Sequence, residues 1–399
     1  MNNYFRLFEE IFLNPKENHP AIYNLFTGIV YEISPIETEL LRQLELNHTV
    51  DSVITSLNLS PKWVEKTLNK YREARLGDWF SDPVFISKLS PDYSFIENLF
   101  FKFPDLISRA TISLSNACSS NCFFCDSSQY VSQYRCMTCT GTEKKASERV
   151  IPLHIAKTAL SKLKQLNCSE ILFIIPDFDA FPDHFSSIIE YAHSLQFKHI
   201  KIHIGNGALS SQTIRFLSQY DFTICIQKSI STIDELSDVI SNITDLNLSF
   251  LSQLVLMIDS SLDLADIRNL LSKLPINIVT QIIPLCHKND YKIGFDHIEL
   301  RSFGLSQTYN LCLYGNLYID SAGNIFPCSG LTDFQVGSVG NWSDIFNPDN
   351  KMNLKYFWYL NKEKFDKCKN CGLQYLCSDC RSIEYQLSGS IISKSFCNR

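Results

Sequence analysis

Between residues 110 and 283, short apolar runs alternate with stretches whose apolar residues recur at helical spacing. The runs at 110–115, 170–175, 199–204, 222–226, 254–258 and 276–283 read as strands. Between the first two, Ile155, Ala156, Ala159, Leu160 and Leu163 make one helical face. Further helices are expected over 186–195, 213–219, 233–243 and 264–274. Nearly continuous apolar strands alternating with helices predict a parallel sheet covered on both faces. Six such units predict an α/β fold, a partial (β/α)6 barrel, whose chemistry lies at the C-terminal ends of the strands.

The chain before this region follows another rhythm. Asn24 and Thr27-Gly28 are turn residues ahead of the β-rich run 29–33, which predicts a hairpin. Ser34-Pro35-Ile36-Glu37 then carries an N-cap, a proline at the first helical position and a capping-box glutamate. A helix through Leu40, Leu41 and Leu44 follows. Val50, Val53, Ile54 and Leu57 mark a second, and Ser60-Pro61 starts a third with Val64, Leu68 and Tyr71. A hairpin with three short helices predicts a winged-helix-like module over residues 1–105. The barrel then spans 106–304 and a cysteine-rich segment 305–399. In that segment two short strands flank Ala322-Gly323-Asn324.

At 399 residues, two or three domains are expected, and 45% apolar content supports sizeable cores. The net charge of −6 lies in no block of like charge, and the first two helices carry Glu37, Glu39, Glu45 and Asp51. Nucleic-acid and anionic-membrane binding are therefore not expected. No apolar run approaches a membrane span. The start shows no basic region followed by an apolar one, so the 15 cysteines are read as metal–thiolate chemistry in a reducing cytoplasm.

Cys118, Cys122 and Cys125, spaced C-x3-C-x2-C, directly follow the first barrel strand. Three thiolates hold three irons of a four-iron cluster and leave the fourth iron open. Structural zinc is the competing reading, but zinc sites usually bring two ligand pairs. With Phe124 before the third cysteine, the stretch resembles radical S-adenosylmethionine (SAM) enzymes. The resemblance implies a SAM-binding [4Fe-4S] cluster on these cysteines, with Phe124 beside the adenine. In that family a glycine-rich motif after the second strand receives the methionine end of SAM. Here the position reads Ile174-Ile175-Pro176-Asp177, so Asp177 is the remaining candidate contact. Asn206 in Gly205-Asn206-Gly207 matches an Asn-Gly pattern after the third strand. It is either a SAM contact or a turn residue. Cys136 and Cys139 are either a redox or metal pair or inert thiols. Cys168, Cys225 and Cys286 are expected in the core.

Further on, Cys312, Gly323 and Cys328 are spaced C-x10-G-x4-C. Cys368, Cys371, Cys377 and Cys380 follow as C-x2-C-x5-C-x2-C, with Cys397 near the end. This order resembles the SPASM extension of radical SAM enzymes. It implies one auxiliary [4Fe-4S] cluster on Cys368, Cys371, Cys377 and Cys397, and another on Cys312, Cys328 and Cys380. Two residues separate Cys377 from Cys380 where the family usually has three, and a zinc ribbon on the two C-x2-C pairs is the alternative. The N-terminal module is similar to PqqD-like elements that bind a leader peptide by adding it to a sheet edge.

Together the resemblance implies an oxidoreductase, a maturase of ribosomally made peptides. Such an enzyme cleaves SAM to a 5′-deoxyadenosyl radical, which abstracts hydrogen from a precursor peptide carrying a leader. Its electron donor is a flavodoxin or ferredoxin. Two alternatives stand beside it. One is a SPASM enzyme acting on a folded protein, of the sulfatase-maturating type. The other is a non-catalytic peptide-binding partner with a degenerate SAM site, suggested by the missing glycines.

Overall fold

The computed structural model describes residues 3–89, 107–117, 130–131, 149–205, 209–245, 251–259, 261–275, 278–287, 294–395 and 397. Its N-terminal module opens with β1 (Tyr4–Leu7), β2 (Ile11–Asn14), β3 (Ala21–Asn24) and β4 (Val30–Glu32). The expected hairpin is β3–β4, and β2 joins it to make an antiparallel sheet of order β2-β3-β4. Helices α1 (Pro35–Glu45), α2 (Val50–Ser56) and α3 (Pro61–Glu73) follow. β5 (Gly77–Phe80) returns to pair with β1.

The capping box at Ser34 and Glu37 forms as its spacing predicts. Glu37 also accepts a hydrogen bond from the Tyr71 hydroxyl at 2.9 Å, so one carboxylate caps α1 and ties α3 to it. Ser60 precedes α3 but makes no side-chain cap. Phe5, Leu7, Ile22, Leu40, Leu41, Leu44, Val64 and Leu68 close the core between these two small sheets and the helices.

The main body is a ten-stranded sheet in which β6 (Arg109–Ser113), β8 (Glu170–Ile175), β9 (His199–Ile204), β10 (Thr223–Ile230), β11 (Leu251–Asp259) and β12 (Val279–His287) lie parallel in that order. Helices α4 (Leu153–Gln165), α5 (Pro182–Ser194), α6 (Ser211–Leu217), α7 (Ile233–Asp245) and α8 (Leu264–Leu271) fill the crossovers. β6 and β12 are not paired, so the parallel set is open, as a partial (β/α)6 barrel requires. β7 (Tyr130–Val131) pairs antiparallel with the end of β12.

The two faces of this sheet differ in chemistry. Ile171, Phe173, Ile202, Ile204, Ile224, Leu254 and Leu256 share a core with α4 to α8. Opposite-facing positions mix polar with apolar: Ser113, Ile174, His203 and Cys225 stand side by side in the registers of β6, β8, β9 and β10. The helix-covered face is the apolar one, and the other mixes polar with apolar positions. The alternation His199-Ile200-Lys201-Ile202-His203-Ile204 on β9 is a period-two signal of one apolar and one polar face.

At the other edge, β13 (Asn316–Ile319) pairs parallel with β6, and β14 (Asn324–Phe326) and β15 (Gly337–Ser338) extend the sheet. The two strands expected about Ala322-Gly323-Asn324 are β13 and β14. Their continuity with the main sheet was not expected. Helices α9 (Leu300–Thr308), α10 (Leu354–Trp358) and α11 (Arg381–Ser388) complete this segment. Among the described residues, no helix is long and apolar enough to cross a membrane.

Candidate functional site

The backbone leading into the first cysteine loop is fixed on both sides. Ser115 pairs with Val150, and the Asn116 and Arg149 amides are each engaged across the gap. The Ala117 amide donates to the Ser115 hydroxyl at 2.9 Å. Cys118, Cys122, Phe124, Cys125, Cys136, Cys139 and Asn206 all lie outside the described residues.

Asp177 is 8% exposed just past β8. The glycine-free loop around it is anchored rather than open. Phe178 is buried against Phe185 and Phe216. The Asp179 carboxylate accepts from the Ser210 amide and hydroxyl and from the Thr213 hydroxyl at the start of α6. Pro176 and Gly205, at the ends of β8 and β9, touch: a Cβ on Gly205 would lie 2.4 Å from the Pro176 carbonyl. Gly205 is therefore set by close approach, whatever Asn206 does.

Below these strand ends His203 is fully buried, its Nε2 2.9 Å from Gln227 Oε1. Burial pushes its pKa down to about 4, so the imidazole is neutral at pH 7. On the same face Lys201 donates to Gln253 and Gln253 to Gln281, at 2.9 and 3.0 Å. Motif-based reading missed this polar ladder, because one or two residues on each of four strands carry no motif. Cys168 and Cys225 are buried as expected, and burial raises each thiol to about 12. Cys286 lies on β12 opposite Val131.

A cavity of about 430 Å³ lies between this face and the C-terminal segment. Arg109, Thr111 and Leu172 line it from the sheet, and Cys312, Cys328, Cys380, Lys362 and Asp379 from the other side. One of the two predicted cysteine groups thus converges on a single space. Asn310 holds two of its loops: its Oδ1 accepts from the Cys312 amide and its Nδ2 donates to Asp379 at 2.9 Å. Asp379 sits between Cys377 and Cys380, its side chain 8% exposed. Burial alone would raise its pKa, but Arg381, Lys394 and Lys362 hold it below the ordinary 3.8. Lys362 donates to the Cys377 carbonyl.

The second group surrounds a turn gripped by the N-terminal module. The Cys371 amide donates to the Cys368 carbonyl, and Cys371 bridges to Asn18. Tyr23 and Asn14 both donate to the Gly372 carbonyl, and the Gly372 amide donates to the Asn18 carbonyl. Beside this, Tyr23, Phe303 and Tyr375 join Ala21, Leu25, Ile298 and Leu373 in a core of their own. The β2-β3-β4 sheet is thus covered by its own helices on one face and by the cysteine-rich segment on the other. Cys377 bridges to Phe295, and Cys397 is exposed beyond Lys394.

Among the described residues, no three His, Cys, Asp or Glu side chains are close enough to grip one metal ion. Thiolates of a four-iron cluster stand at its corners, farther apart than the ligands of a single ion, and the roomy cavity with three cysteines in its wall suits that larger group.

No protein-family model matches the chain. No curated protein matches it either. Among solved structures, the chain is similar to Streptococcus suis SuiB bound to precursor peptide SuiA, at 14% identity and TM-score 0.46, covering 99% of this chain and 100% of that one. It is also similar to anSMEcpe with bound AdoMet, at 13% identity and TM-score 0.49, covering 72% and 90%. A third is BtrN in complex with AdoMet and 2-DOIA, at 14% identity and TM-score 0.37, covering 70% and 96%. Likenesses this distant carry no argument about activity.

Proposed function

We propose that the chain is a radical SAM enzyme with auxiliary iron–sulfur clusters that modifies a ribosomally made precursor peptide. The observation that carries this reading is the meeting of Cys312, Cys328 and Cys380 in one cavity against the parallel barrel strands, the first of which, β6, precedes Cys118 in the chain. Cys118, Cys122 and Cys125 would hold the cluster that cleaves SAM reductively to methionine and a 5′-deoxyadenosyl radical. Cys312, Cys328 and Cys380 would hold one auxiliary cluster, and Cys368, Cys371, Cys377 and Cys397 the other. Phe124, Asp177 and Asn206 would position SAM at the strand ends, and a flavodoxin or ferredoxin would deliver electrons.

The chain's own residues prepare that chemistry. The buried, neutral His203 and its Gln227 partner keep fixed dipoles, not a mobile charge, beneath the strand ends. Buried dipoles held in place solvate a reacting group without the mobile water that would quench a radical. The N-terminal module would take the leader along β4. That strand pairs with β3 on one side and forms the sheet's edge on the other. Ile29 and Ile36 flank it and are 50% and 42% exposed. Strand addition draws affinity from main-chain hydrogen bonds and specificity from such side chains.

Anaerobic reconstitution with iron, sulfide, SAM and dithionite tests the reading, with 5′-deoxyadenosine as readout. Absence of that product with and without peptide would sink it and favour the non-catalytic alternative, which the anchored loop at Pro176–Asp179 supports. The leader role is tested by Ile29→Asp, expected to weaken precursor binding at least tenfold while SAM cleavage without peptide is kept. Deleting residues 1–105 is the poorer test, since it would strip one wall from the Tyr23–Phe303–Tyr375 core.

A further inference from the structure

A buried group of charges fills the space between the two cysteine sets. Arg381 donates to Asp379 and to the carbonyls of Ile391 and Ser393. Lys394 lies 3.4 Å from Asp379 and 3.0 Å from Glu384. Two carboxylates and two cations therefore balance. Lys362 is the cation left over. It is 8% exposed, lines the cavity beside Cys312, Cys328 and Cys380, and donates to the Cys377 carbonyl. Among the described residues, no carboxylate stands within ion-pair distance of its ammonium. The acids that act on it electrostatically are Asp379, already engaged, and Asp296, which accepts from Ser378 across the same cavity.

Burial works to lower the Lys362 pKa, and the Asp379 and Asp296 carboxylates work against that shift; an ammonium held in such a wall is costly unless an anion faces it. We propose that Lys362 is the counter-charge of the auxiliary cluster on Cys312, Cys328 and Cys380, and that it raises that cluster's reduction potential. The proposal rests on the auxiliary-cluster reading given above. A thiolate-bound cluster gains one negative charge on reduction. A cation held nearby in a low-dielectric wall stabilises the reduced form more than the oxidised one. Because the same ammonium holds the Cys377 carbonyl, it also faces the second cysteine set. Asp296, of opposite sign in the same wall, works against it.

The test uses the full chain with Cys118, Cys122 and Cys125 changed to Ala, so that only auxiliary clusters are loaded. Iron and sulfide are quantified, and a redox titration is followed by electron paramagnetic resonance. Lys362→Gln is expected to move the midpoint to more negative potential and Asp296→Asn to more positive. Lys362→Arg and the exposed-site variant Lys364→Gln should stay at the parent value. Parent-like midpoints in Lys362→Gln at full iron content overturn the proposal. If Lys362→Gln does not load, an unchanged midpoint in Asp296→Asn overturns it instead. A parent that binds no iron under these conditions rejects the auxiliary-cluster reading itself, a distinct outcome.

Discussion

The Tyr23 hydroxyl donates to the Gly372 carbonyl at 2.6 Å, across 349 residues of sequence. One partner lies on the middle strand of the N-terminal sheet, the other next to Cys371. The carbonyl also receives Asn14 Nδ2 at 2.9 Å, and a Cβ on Gly372 would lie 2.2 Å from the His19 carbonyl. The module expected to recognise a peptide is thus built onto the turn expected to hold a cluster.

That contact predicts an order of effects. Tyr23→Phe should cost about 1 kcal/mol, since Asn14 still serves the carbonyl. Gly372→Ala should cost more, roughly 1–3 kcal/mol, because backbone presses on backbone with no side chain to yield. Urea unfolding of the two variants measures both. A neutral Gly372→Ala would contradict the close docking.

The cysteine assignments separate by product. Cys122→Ala is expected to abolish 5′-deoxyadenosine formation. Cys371→Ala is expected to leave SAM cleavage uncoupled from peptide modification. Chromatographic quantification of 5′-deoxyadenosine and mass spectrometry of the peptide read the two outcomes. Equal product from Cys122→Ala and the parent would reject the first assignment.

Asp379→Asn should destabilise by about 3–5 kcal/mol, because it leaves Arg381 and Lys394 buried with one carboxylate fewer. The folded carboxyl titrates below its ordinary value, so its contribution is present above that value and is lost as pH falls through the folded pKa. Guanidinium unfolding should therefore show a smaller gap between Asp379→Asn and the parent in strong acid than at pH 7.

His203 predicts a dependence in a different window. Its folded pKa of about 4 lies below the ordinary 6.5, so the unfolded chain takes up a proton first as pH falls. Its stabilising term is complete above pH 6.5 and declines toward pH 4, by about 3 kcal/mol at most. His203→Gln should flatten stability across that range. Profiles that stay parallel would show that His203 is not buried as a neutral imidazole.

The barrel strands, the helices and the capping box were legible because each rests on local rules, whereas β1, β2 and β5 were not read. Period and run length gave β8 and β9 within their observed bounds, and Ser34 to Glu37 announced α1 outright. Motif spacing named Cys312, Cys328 and Cys380, but only the tertiary fold brings them to one cavity. Lys362, Asn310 and Asp379 were invisible as a group because they come from three separate turns, and a buried charge leaves no periodic trace. The loop at Pro176–Asp179 read as a loss of glycines. Its replacement, a buried Phe178 and an Asp179 clamp on α6, depends on residues more than thirty positions away.

The pairing of β13 with β6 gives the cysteine-rich segment a second duty. Asn316–Ile319 lies along Arg109–Ile112 and supplies the neighbour that the first barrel strand would otherwise lack. Without it, Ala110 and Ile112 would sit on a bare, apolar sheet margin, the kind of surface that recruits other chains into aggregates. The segment is thus a selvedge for the sheet as well as the proposed seat of the auxiliary clusters. Its removal would compromise solubility before any question of electron transfer arose.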